Sequence, residues 1–151
     1  MQRLRLAVMI ACLVATGWWF GQTAAQGNRR YIEPRTAESA GAPFSGGVLL
    51  DDVFFVSGTL GLEAGQKVPA TPEAEATNML NNVQNTLKQA GLTMDDLVSV
   101  QIFCSDVAHY DAFNKIYRGY FKREYPSRAF IGSGKLLFGA RFEIQGVAVK
   151  R

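Results

Sequence analysis

The chain has 151 residues, a formal net charge of +3 and two cysteines. That length carries one domain with one modest core. Two cysteines and one histidine leave little for a zinc cluster, and no run of Lys and Arg interleaved with aromatic residues is present to track a phosphate backbone.

The first elements in chain order are those of an export signal. Met1 to Arg5 is short and basic, Leu6 to Phe20 is uncharged and strongly apolar, and Gly21 to Ala25 offers small residues for cleavage. The apolar run is about fifteen residues, short of the roughly twenty that span a bilayer as a helix. We therefore expect residues 1–25 to be a signal peptide cleaved near Ala25, and the mature protein to be periplasmic or secreted without stable membrane association. A retained N-terminal anchor is the alternative. Met9-Ile10-Ala11-Cys12 loosely resembles a lipoprotein cleavage site, but too few apolar residues precede Cys12. Arg3 and Arg5 leave with the signal and no acidic residue does, so the charge falls from +3 to about +1. Cys12 leaves as well, and Cys104 has no partner for a disulfide.

Residues 26–41 are polar and read as a tether into a domain over 42–151. Gly47 to Leu50 and Val53 to Gly58, split by Asp51-Asp52, predict a β-hairpin. Thr71-Pro72-Glu73 opens a helix with an N-cap residue, a proline at the first helical position and an acid in the first turn. Met79, Leu80, Val83, Leu87 and Ala90 recur at helical spacing as a core stripe, and Gly91 ends it. Leu97 to Cys104 reads as a strand in which Cys104 is a buried, inert thiol. His109 lies in a turn before a second helix, Tyr110 to Tyr120, and reads as a surface or helix-start residue. Arg128 to Ile131 and Ala140 to Val149 are the last two strands, joined by the loop Gly132 to Gly139. The order β-β-α-β-α-β-β predicts an α+β fold whose two helices cover one face of a sheet. Val147 and Val149 alternate onto the side of Glu143, and an apolar uncovered face on so small a domain predicts an oligomer.

Chemistry points to Arg128 and Glu143, fifteen positions apart in two apolar runs. Burying either charge unpaired is costly, so the two are expected to face a cleft, an interface or each other. An arginine grips a carboxylate through two parallel N–H bonds, and a nearby carboxylate holds or deprotonates a water. The plain alternative is a structural ion pair between neighbouring strands.

With Pro43 before an aromatic at 44, Phe55-Val56-Ser57-Gly58, Asn82, Ala90-Gly91-Leu92, Asp95-Asp96-Leu97-Val98, Asn114, Tyr117, Pro126-x-Arg128 and Glu143-Ile144, the chain resembles the RidA (YjgF-type) family of enamine/imine deaminases from about Ala42 to Arg151. The resemblance implies a chorismate-mutase-like fold with a mixed sheet, a homotrimer with sites between subunits, and no metal or organic cofactor. It assigns Arg128 to the carboxylate of an imino or enamino acid and Glu143 to the hydrolytic water. Phe44, Gly58, Thr59, Asn114 and Phe130 fall at substrate-binding positions, with the backbone near Phe130 beside Glu143. The implied reaction is hydrolysis of a 2-imino acid to a 2-oxo acid and ammonia, outside the cytoplasm. Several residues depart from the family pattern. Phe44 stands where tyrosine is usual, Gly46 and Thr59 replace glutamines, Phe130 replaces a smaller residue, and Leu136-Leu137-Phe138 replaces a Leu-Pro-basic loop. A more apolar, narrower pocket is expected, and with it a second reading: a trimer that binds a small carboxylate without turnover. A third, ribonuclease action, fits poorly with a near-neutral mature charge and an export signal.

Overall fold

The structure, a computed structural model, describes residues 27–33 and 41–151. The signal-peptide segment 1–25 and its cleavage point lie outside the described residues. Among the described residues no helix is long and apolar enough to cross a membrane.

Six strands form one sheet: β1 (Arg29–Ile32), β2 (Gly47–Leu50), β3 (Val53–Leu60), β4 (Leu97–Cys104), β5 (Ser127–Gly132) and β6 (Phe142–Val149), in the order β1-β2-β3-β6-β4-β5. Helices α1 (Pro72–Ala90) and α2 (Tyr110–Tyr117) cover one face. Every neighbouring pair is antiparallel except β4 and β5. A parallel pair needs a crossover, and the segment carrying α2 supplies it. The expected α+β class and the two-helix layer on a mixed sheet are present. The addition is β1, inside the segment read as a tether. Only Ile32 of its four residues is buried, so no alternation marks it in the sequence. It pairs with β2, and the Arg30 guanidinium donates to the Ala90 carbonyl (2.9 Å), where a cation meets the C-terminal end of α1.

The start of α1 follows from its sequence: the Thr71 hydroxyl accepts from the Ala74 N–H (3.2 Å), and Pro72 occupies the first turn. Its end is Gly91, whose φ of 81° is the left-handed conformation that closes a helix at least cost for glycine. Between them Ala76, Met79, Leu80, Val83, Leu87 and Ala90 are buried, against Phe54, Ile102, Phe142 and Ile144 of the sheet. Each such side chain contributes roughly 1.5–3 kcal/mol of burial. The Asn82 amide donates to the Leu60 carbonyl (3.0 Å) and ties the helix to the end of β3.

Among the described residues, no helix lies on the other face. The Gln145 amide donates to Gln101 across β6 and β4 (2.7 Å), with Phe55, Val98 and Val149 exposed beside that row. Val147 and Val149 share this face with Glu143, as the alternation predicted.

One buried charge holds the layers in register. Glu75 on α1 is fully buried and accepts from the backbone N–H groups of Arg141 (2.6 Å) and Phe142 (3.1 Å), and it pairs with the Arg141 guanidinium (2.8 Å). The Arg141 side chain also donates to the Pro69 carbonyl (2.9 Å), so the carboxylate ties three groups at the entry to β6 to the helix. Removing it strands a half-buried guanidinium and two amides. We expect Glu75→Ala to cost about 3 kcal/mol, read as a lower midpoint in urea unfolding. Glu75→Gln, which keeps an acceptor, should cost less.

Candidate active site

The helical segment ends at Tyr120, and the buried Pro126 immediately precedes β5. The parallel register sets Arg128 against Val100 and Phe130 against Ile102, so both side chains point toward the helices. Helix α2 meets them with Tyr110, Asn114 and Tyr117, spaced four and three residues apart and therefore on one face. Asn114, itself buried, accepts from Arg128 Nη1 (2.8 Å), and the Tyr110 hydroxyl lies 3.5 Å from Nη2. The guanidinium carbon sits 4.9 Å from the centre of the Tyr117 ring and 5.8 Å from that of Tyr110, within cation–π range. The two ion pairs of the described residues, Arg141–Glu75 and Arg151–Asp96, leave Arg128 without a carboxylate. Its charge is met by the Asn114 amide, the Tyr110 hydroxyl and three aromatic rings, those of Tyr110, Tyr117 and Phe130, and it borders a cavity of ≈ 260 Å³ whose walls include Tyr110, Tyr117, Tyr125 and Arg118.

Tyr117 is the anomaly in that wall. It is 3% exposed, and its hydroxyl oxygen has no hydrogen-bond partner among the described residues. Burial pushes its pKa up to about 12, while the Arg128 charge draws it partly back.

Glu143 belongs to a different neighbourhood. It is half-buried on the helix-free face of β6, opposite Leu60 of β3 and Phe103 of β4. Strand β3 bulges between Val56 and Thr59, and the bulge brings Gly58 against the Glu143 carboxylate. A Cβ at position 58 would meet Oε1 of Glu143, so a side chain there would push the carboxylate out of this position. The Ser57 hydroxyl donates to the Ser45 carbonyl (2.6 Å) and the Ser57 N–H to the Gly46 carbonyl (3.2 Å), pinning the segment of Phe44 to the bulge. The Phe44 side chain is exposed. Thr59 pairs with Ile144, and its hydroxyl donates to the Ser57 carbonyl (2.9 Å).

The expected residues thus fall into two groups, Arg128 with Asn114 and Phe130, and Glu143 with Gly58, Thr59 and the Phe44 segment. One reading is corrected. Arg128 and Glu143 are not on neighbouring strands, because β4 lies between β5 and β6, and their side chains leave opposite faces. Strand spacing and a three-residue offset put their Cα atoms roughly 14 Å apart, so they form no structural ion pair within the chain. Phe130 and Glu143 lie apart within one chain, as a site shared between subunits allows. The Phe130 ring stacks edge-on against Tyr110 (5.0 Å) and Phe113 (5.5 Å) and lies 6.0 Å from the Arg128 guanidinium carbon. Tyr110 and Tyr125 were missed as pocket residues. The spacing of Tyr110, Asn114 and Tyr117 on one helix was the available signal for the first.

Cys104 is fully buried, its thiol pushed up in pKa by burial and donating to the Asp106 carbonyl (2.9 Å), as an inert thiol should be. His109 caps α2 and rests its ring edge-on against Phe142 (6.0 Å).

The fold is that of the Rid proteins. YyfA of Yersinia pestis, from the conserved Rid protein family, superposes with a TM-score of 0.75 at 30% identity, over 81% of this chain and 99% of that one. The YjgF gene product of E. coli gives a TM-score of 0.74 at 28% identity, over 81% and 99%. The chain belongs to the Ribonuc_L-PSP family, described as Endoribonuclease L-PSP, which it matches over residues 35–150. It is 35% identical over 124 residues to a 2-iminobutanoate/2-iminopropanoate deaminase of Capra hircus, covering 81% of this chain and 90% of that protein. The human protein of the same name is 34% identical over the same length and shares.

A consequence of Tyr117 is testable by pH. Its proton is held more tightly in the folded state than in the unfolded chain, so its contribution is complete below pH 10 and is lost as pH rises toward about 12. Tyr117→Phe should flatten the loss of stability over that window in urea titrations. Near pH 7 the same substitution removes an unpaired buried hydroxyl, and stability should stay level or rise by up to about 1 kcal/mol.

Proposed function

We propose that this chain is a hydrolytic deaminase of reactive 2-imino and enamino acids that works without metal or organic cofactor, as a homotrimer, outside the cytoplasm. The single observation that carries the reading is Arg128: a half-buried guanidinium oriented by Asn114, bordering a cavity and lacking a carboxylate partner among the described residues. Deaminase-named relatives at 34–35% identity support it.

In this reading Arg128 binds the substrate carboxylate through N–H groups that Asn114 and Tyr110 leave free. Glu143 holds the water and takes its proton as oxygen adds to the imine carbon, then returns it as ammonia departs. The two groups are too far apart to meet within one chain, so Glu143 and the Gly58 bulge come from a neighbouring subunit. The exposed apolar face at Phe55, Val98 and Val149, together with the free edge of β5, is the surface such an assembly would cover. Imines already hydrolyse in water, so orientation and polarisation are the main demands on the protein.

The test is ammonia release by the full-length protein while an amino-acid oxidase generates imino acids continuously. Arg128→Ala should lower kcat/KM on the order of a hundredfold, the loss expected for a charge-assisted bond. Glu143→Gln should lower kcat by about 10²-fold or more while ligand affinity stays within a few-fold. Sedimentation should give three chains per particle. If a folded trimer binds 2-oxo acids through Arg128 yet releases no ammonia faster than water does, the non-catalytic carboxylate-binding reading replaces this one.

A further inference from the structure

The cavity beside Arg128 is larger and more aromatic than a methyl- or ethyl-bearing imino acid requires. An apolar cavity of about 150 Å³ holds benzene, so ≈ 260 Å³ has room for a phenyl ring and a carboxylate together. Tyr110, Tyr117 and Tyr125 line it, with Phe121 packed behind at 4.7 Å from the Tyr117 ring. Tyr125 stacks near-parallel with Tyr117 (6.3 Å, 23°) and is 57% exposed, which makes it the wall residue with room to shift for an entering ring. The Tyr117 hydroxyl is buried with no partner, a donor that the folded chain leaves unused. A buried hydroxyl without a partner is costly to keep, and a ligand oxygen arriving beside Arg128 would satisfy it.

Resting on the deaminase reading above, we propose that the α2–β5 cavity is the substrate's side-chain pocket and that the preferred substrates are 2-imino acids bearing an aromatic ring. The carboxylate lies on Arg128 and accepts a further hydrogen bond from the Tyr117 hydroxyl. The ring fills the space between Tyr110 and Tyr125, where offset or edge-on contacts are available. The reaction balances without a redox partner: water supplies the oxygen that replaces nitrogen in the C=N bond, and both of its protons leave with that nitrogen as ammonia. A methyl side chain would leave most of the cavity unfilled.

The experiment compares imines generated from phenylalanine and from alanine by an oxidase, with the full-length protein. In parallel, calorimetry measures binding of the two corresponding 2-oxo acids. We expect kcat/KM for the phenylalanine-derived imine to exceed that for the alanine-derived one by tenfold or more. Tyr125→Ala should pull that ratio toward one, while Tyr117→Phe, which touches only the carboxylate common to both, should lower kcat/KM for both imines alike without loss of thermal stability. A wild-type ratio at or below one, with the small imine turned over, overturns the aromatic pocket and leaves the deaminase reading standing. No turnover of either imine, with the aromatic 2-oxo acid bound more tightly than the small one and that binding lost in Arg128→Ala, removes the deaminase reading but keeps the pocket. No turnover and no binding preference overturns both.

Discussion

Strand β5 runs parallel to β4, and a parallel neighbour can be reached only by carrying the chain over the sheet, which here is the task of α2. That single pairing determines most of what surrounds Arg128. It places the arginine on the helix-covered face, brings Asn114 and two tyrosines down onto it, and leaves the other edge of β5 free. It also keeps β4 between Arg128 and the strand of Glu143. The same constraint that assembles these groups around Arg128 keeps Glu143 out of reach within the chain.

The surroundings of Glu143 depend on a different device, a bulge in β3 at which a Cβ would meet the Glu143 carboxylate. Gly58 and Glu143 occupy one volume between them, and the entry to β6 is fixed from behind by the buried Glu75 carboxylate. Glu143 is therefore positioned by α1 through Arg141 and Phe142, although the helix and the carboxylate lie on opposite sides of the sheet. Packing, hydrogen bonding and the geometry of a surface carboxylate are here parts of one arrangement.

The elements whose identity rests on local rules were legible in the sequence. The α1 cap at Thr71, its stripe from Met79 to Ala90 and its glycine stop are decided by neighbours within a few residues, and they stand where the sequence placed them. So does the alternation that put Val147 with Glu143. What could not be read was set by strand order. Nothing within Arg128 to Glu143 says that β6 pairs with β4 and β3 rather than with β5, so proximity in sequence suggested an ion pair that the sheet forbids. β1 escaped for the opposite reason: an edge strand with one buried residue has no pattern to betray it. The Tyr110, Asn114, Tyr117 spacing was visible, but its meaning required the partner strand.

Tyr117 also bears on how this protein would respond to selection. A screen that rewards melting temperature alone sees a buried hydroxyl with nothing to bind and favours its removal. If that hydroxyl is the donor a ligand completes, such a screen would discard recognition while improving robustness. Retention of tyrosine there under pressure for stability would itself be a record of use.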